Sequence, residues 1–154
     1  MTRLIRDAGP GDVPVLQDLY RHLIPEEDPA PTALAEARLE ALYAFPGSGV
    51  LMAFDGAVAV ASVTLIVVPN MTRQGAPYAF IENVVTHSAH RRKGHAQALL
   101  SEAEDRAWTA GCYRIMIVSG NHNTGAHGFY SSAGYAGSKT GFQKRRIPDR
   151  ASRG

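Results

Sequence analysis

The chain is poor in cysteine: Cys112 stands alone among 154 residues. No intramolecular disulfide can form, and no cluster of Cys and His has the spacing of a zinc site, so no metal is expected. An unpaired cysteine ahead of an apolar stretch reads as a small buried residue. Long hydrophobic runs are also missing. Nothing approaches the ~20 apolar residues needed to cross a bilayer, and the opening MTRLIRDAGPGD lacks an apolar signal core. No membrane association and a cytoplasmic location are the expectations. Charge of one sign is scarce too. A formal net charge of +2 is too small to argue for nucleic acid, and the basic clusters Arg91–Lys93 and Lys144–Arg146 carry no interleaved aromatic residues. Repeats, linkers and low-complexity segments are absent.

What remains is an ordinary globular composition, 45% apolar and 19% charged. A chain of this length forms one domain and buries ~70% of the surface its unfolded form would expose. The domain is expected over residues 1–147, with a frayed tail from 148 to 154.

Pattern and punctuation predict the element order. Leu4 to Asp7 reads as a short strand, with Asp12 as N-cap of a helix to His22 that carries Val13, Leu16, Leu19, Tyr20 and Leu23. The Ile24–Pro31 segment holds three prolines and three acids and cannot be regular structure. Thr32 should cap a second helix to about Ala44. Val50–Phe54 and Ala57–Val68, joined at Asp55-Gly56, form a hairpin candidate. Tyr78–Thr86 is a further strand, Arg92–Ala110 a helix stopped by Gly111, and Tyr113–Val118 an apolar strand suited to a sheet interior. A short helix from Thr124 to Ala133 and a strand over Gly141–Arg146 complete the order. Such an order implies an α/β fold, a mixed sheet with helices on both faces.

The segment joining the fourth of these strands to its helix is the most informative. Arg91, Arg92 and Lys93 supply charge, while Gly94 and Ala96 keep bulk away from the unpaired N–H groups of a helix start. A strand feeding such a turn is a phosphate-binding device. It is neither of two common ones. The P-loop requires two glycines around four residues and then Lys with Ser or Thr; the dinucleotide fingerprint requires three glycines. Neither run occurs here.

The residues Arg91, Gly94 and Ala96 match Arg-x-x-Gly-x-Ala. About 35 residues further on come Asn123, Ala126, Phe129 and Tyr130, then Gly134-Tyr135. Together these segments resemble the GNAT superfamily of acetyl-CoA-dependent N-acetyltransferases, over residues 78–136. The resemblance implies a single-domain GNAT-like fold whose two central strands splay apart. It implies a direct transfer of acetyl from acetyl-CoA, bound as cosubstrate, to a primary amine, with no covalent enzyme intermediate. Cofactor contacts would come from Val84, Val85 and Thr86 through the backbone and from Arg91, Arg92, Lys93, Gly94, His95 and Ala96 at the turn. Asn123, Ala126, Phe129 and Tyr130 would complete them. Tyr130 matches the family's usual general acid, and at an ordinary pKa near ~10 it keeps its proton at pH 7. Glu82, a carboxylate inside an otherwise apolar strand, is the candidate base, directly or through water. His87 and His90 read as exposed turn residues.

The partners implied are acetyl-CoA and a small amine; a homodimer is left open. IENVV with GCYRIMI is similar to the glucosamine-phosphate acetyltransferases, but Ser119–Asn123 lacks the acidic residue they place beside the acceptor. Small amines, aminoglycoside-like compounds and protein N-termini or lysines therefore stay open, and the acidic Glu26–Asp28 loop would suit a cation. A non-catalytic acyl-CoA-binding module is the alternative; it could dispense with Tyr130 and Glu82, and both are present.

Overall fold

The computed structural model describes residues 3–148. They fall into two compact units, one ending at Ile117 and the other beginning at Val118. The first holds five strands: β1 (Arg3–Asp7), β2 (Gly49–Asp55), β3 (Val58–Val68), β4 (Tyr78–Thr86) and β5 (Ile115–Ile117). They form one sheet in chain order. β1 to β4 are antiparallel neighbours, and β5 joins β4 in parallel, so the sheet is mixed. Gly56, with φ +62°, takes the first central position of the two-residue turn between Asp55 and Val58, a conformation open to glycine at little cost.

Alternation along the strands sorts side chains onto two faces. Val50, Met52 and Phe54 of β2 cluster with Val13, Leu16 and Leu19 of α1 (Val13–Tyr20) and Leu39 of α2 (Thr32–Tyr43). The opposite parity brings Leu51, Val63, Leu65 and Ile81 to the other face, which packs against α3 (His95–Thr109). Leu99, Leu100, Ala103 and Ala107 of α3 are fully buried there. Leu99→Ala should therefore cost about 2–5 kcal/mol, read from denaturant unfolding, because a close-packed site cannot collapse around the lost atoms.

The helix ends follow from local chemistry. Gly111 lies at φ +85°; its N–H reaches the Trp108 carbonyl at 3.0 Å, and the Cys112 N–H reaches Ala107 O at 3.0 Å. That closes α3 as a Schellman motif at the expected glycine, and Cys112 is buried as expected. Two expected caps differ. Asp12 precedes α1 but makes no side-chain cap to it. Its carboxylate instead accepts from the Gly9 N–H and from the Arg6 guanidinium, and the latter holds its pKa down to about 2. Thr32 is the first residue of α2, with Pro31 in the cap position.

The far edge of the sheet departs further from expectation. β5 spans Ile115–Ile117 rather than Tyr113–Val118 and is half-buried, not enclosed. The Tyr113 N–H is already given to the Pro77 carbonyl, and the ladder with β4 covers only Ala79–Ile81. The strand expected over Gly141–Arg146 does not form, so β5 has no outer partner among the described residues. That segment has Phe142 as its lone large apolar side chain, 94% exposed, so pairing would bury little to offset the entropy of ordering it. In the second unit the regular element is α4 (Thr124–Ser132). The tail expected from 148 onward lies almost wholly outside the described residues. Among those described, no helix is long and apolar enough to cross a membrane.

Candidate active site

The turn between β4 and α3 is built from unusual backbone. After Thr86, the His87 ring accepts from the Ala89 N–H at 3.1 Å, and Ser88–His90 make one 3-10 turn. Arg92 then lies at φ +61° and Gly94 at φ +77°. Two left-handed residues cannot be part of an α-helix, so α3 starts at His95, three residues later than the sequence suggests. No side chain caps this start, and the first helical bond across it runs from Ala98 N–H to Gly94 O at 3.1 Å. The N–H groups of His95, Ala96 and Gln97 precede that bond and so lack intrahelical acceptors. Arg3 ties the turn to β1 by donating to the Lys93 carbonyl at 2.8 Å.

The strand leading into this turn has an open edge. β4 pairs with β5 only as far as Ile81 opposite Ile117, so among the described residues no strand lies beside the Glu82–Thr86 backbone on that side. On its other side β4 carries a bulge: Thr64 faces Glu82 and Ser62 faces Val85, with Asn83 at φ +52° absorbing the extra residue. The bulge shifts the alternation, so Glu82 and Val85 both point to the α1 side of the sheet. Glu82 is half-buried, and among the described residues no cation pairs with it. Removal from water pushes its carboxyl pKa up.

On the same face lies a cavity of about 490 Å³ between α1, the Ile24–Pro31 loop, α2 and the sheet. Thr64, which faces Glu82 across the ladder, and Asn83, which follows Glu82 in the chain, form its floor. Glu27 and Asp28 of the acidic loop line it; Glu26 does not. Tyr20 lines it as well, and burial raises its phenol pKa against the opposing influence of the Thr64 and Ser62 hydroxyls. The Ser62 hydroxyl is buried with no hydrogen-bond partner among the described residues. Sequence reasoning placed Tyr20 on an apolar helix face and passed over Thr64 and Asn83. A signal was present: Ser62 and Thr64 are polar residues two apart in the run VAVASVTLIVV, hence on one strand face.

The second unit carries the remaining predicted residues. Asn123 caps α4, its side-chain oxygen accepting from the Ala126 N–H at 3.2 Å. Phe129 and Tyr130 lie on α4 with ring centroids 5.4 Å apart, and Tyr135 meets Tyr130 edge-on at 6.3 Å. Gly134, at φ +92°, turns the chain so that the Tyr135 N–H reaches the Tyr130 carbonyl.

The histidines of the turn are not simply exposed. His22, His87, His90 and His95 form a row with successive ring centroids 4.1, 5.4 and 6.3 Å apart. His95 is only 4% exposed, and burial, then Arg3, lowers its pKa. Asp55, His90 and His95 bring potential ligand atoms within 4.8 Å of one another. Arg3 Nε donates to His95 Nδ1 at 3.3 Å, which leaves the proton of the neutral ring on Nε2. Metal-bound histidines show the reverse, a donating second nitrogen and a free lone pair facing the ion.

The mixed α/β sheet therefore has an open edge along β4, and that strand leads into an uncapped helix start. The acetyltransferase (GNAT) family model matches residues 16–135, and the chain belongs to that family. A candidate acetyltransferase from Agrobacterium tumefaciens str. C58 has 43% sequence identity and a TM-score of 0.86, covering 93% of this chain and 99% of its own. A transcriptional regulator from Bacillus halodurans C-125 has 26% identity and a TM-score of 0.81, covering 94% and 99%. The aminoglycoside enzyme AAC(6')-Iy, solved with a CoA-containing bisubstrate analogue, shares the fold at 16% identity and a TM-score of 0.79, covering 96% and 100%. A comparison with curated protein sequences finds no match.

Proposed function

We propose that the protein moves an acetyl group from acetyl-CoA to a primary amine within a direct ternary complex. The observation that carries this reading is continuous backbone: the unpaired edge of β4 runs through Thr86 into the uncapped start of α3 behind Gly94. An amide-bearing arm can pair with Val84–Thr86 as an added strand would. The pyrophosphate at its end meets the N–H groups of His95 and Ala96 and the charges of Arg91, Arg92 and Lys93. Asn123, Ala126 and Phe129 add contacts to the same cofactor. Tyr130 donates its proton to the departing thiolate, and Glu82, paired across the ladder with Thr64 of the cavity floor, takes the proton of the amine directly or through water. The cytoplasm is the compartment that suits a lone unpaired cysteine.

The test is a thiol-release assay with acetyl-CoA against amines, polyamines, amino sugars and peptides, run beside calorimetry of acetyl-CoA binding. Gly94→Val should lower acetyl-CoA affinity at least about tenfold, or ~1.4 kcal/mol. A Cβ there would meet only the Arg3 guanidinium at 3.5 Å, so space is not the obstacle. The obstacle is φ +77°, which a β-branched residue does not tolerate. A folded Gly94→Val protein with unchanged affinity would remove this turn from the site. Tight CoA binding with no thiol release on any amine would leave a binding module instead of an enzyme.

A further inference from the structure

We infer that the acceptor is a monoamine carried on an apolar body, held in the cavity between α1 and α2. The inference rests on the acetyl-transfer reading and deepens it. Above the floor formed by Thr64, Asn83 and the Tyr20 phenol, the cavity walls are aliphatic: Leu16, Leu23, Ile24, Ala35, Leu39 and Leu42. Leu23 is 38% exposed, an apolar side chain left facing this space. A volume of about 490 Å³ falls in the range of small-molecule sites, and apolar walls with a few convergent polar groups are their usual make-up.

The charges select within the amines. Arg21 and Arg38 line the cavity together with Glu27 and Asp28, so the charges there balance. A polyamine needs an excess of carboxylates, and an amino-sugar phosphate needs an excess of cations with partners for every hydroxyl. Aliphatic walls supply neither, and each polar group of such ligands left without a partner costs binding. One carboxylate, Glu82, stands across the ladder from Thr64 at the floor, which suits one amine head. The hydrophobic body gains by leaving water against the walls.

The test compares phenethylamine, spermidine, glucosamine 6-phosphate and a short peptide with a charged N-terminal residue. Each is titrated into the CoA-bound protein by calorimetry and, separately, offered with acetyl-CoA in the thiol-release assay. Phenethylamine should bind at least about tenfold more tightly than the others. Leu23→Asp, a change at a part-exposed position, should remove most of that preference while acetyl-CoA affinity stays constant. Phenethylamine that binds while none of the four compounds is acetylated upholds the ligand class of the cavity and overturns the transfer reading; phenethylamine that binds while only another compound is acetylated overturns the acceptor class. Acetylation of spermidine, the sugar phosphate or the peptide without phenethylamine binding upholds transfer and overturns the class. No phenethylamine binding overturns the class whatever the assay shows.

Discussion

Tyr130→Phe is expected to lower turnover about 10²-fold and to leave acetyl-CoA affinity nearly unchanged, because it removes a proton donor and keeps the ring. The ring already has structural work: it packs 5.4 Å from Phe129 and 6.3 Å from Tyr135 by centroid, and both contacts survive the substitution. A loss confined to kcat identifies an interaction made only as the thiolate leaves. The measurement is steady-state kinetics with a good acceptor, with calorimetry of acetyl-CoA on the same protein. Wild-type kcat in the variant would dismiss Tyr130 as the acid.

Glu82→Gln should show a comparable loss near neutral pH, and the loss should shrink as pH rises past the pKa of the acceptor amine, where free amine is plentiful. The direction of its pKa shift sets the wild-type profile. Burial raises the Glu82 pKa, so its basic form is lost as pH falls through a value above the ordinary carboxylate one, and the acid limb of the rate profile moves up accordingly. The same shift has a sign in stability. A carboxyl whose folded pKa exceeds its unfolded one is penalised in the native state at pH values above the unfolded pKa. Glu82→Gln lifts that penalty, so the variant should melt at a higher temperature at pH 7 while turning over more slowly. That pairing is the mark of a group kept for chemistry at a cost in stability. If Glu82 merely holds the acceptor by charge, the acceptor KM rises and kcat is spared. Parallel pH profiles with equal kcat would take Glu82 out of the mechanism.

Much of the fold was legible because local rules and global packing agreed. β4 runs over Tyr78–Thr86 as its apolar pattern implies, and Gly111 stops α3 because glycine alone readily takes φ +85° there. Asn123 caps α4 for the reason its position suggests, a short polar side chain ahead of free N–H groups. The reading failed at the sheet edge. An apolar run such as Tyr113–Val118 does not reveal how much of it finds a partner, and β5 ends with its ladder at Ile117. It failed again at Asp12, where a nearby Arg6 competes for the carboxylate that would otherwise cap α1.

By itself, then, the sequence determined the family and the strand–turn–helix from Tyr78 to Thr109. These are properties of short segments, set by backbone dihedrals and spacing. Only the tertiary structure decided what surrounds Glu82. The left-handed Asn83 turns Glu82 and Val85 to one face, and the ladder places Thr64 opposite Glu82. The end of β5 opens the edge beside them, and α1 brings Tyr20 over the floor. Those residues lie far apart in the chain, and burial, which sets the Glu82 pKa and the shape of the cavity, exists only once distant segments pack.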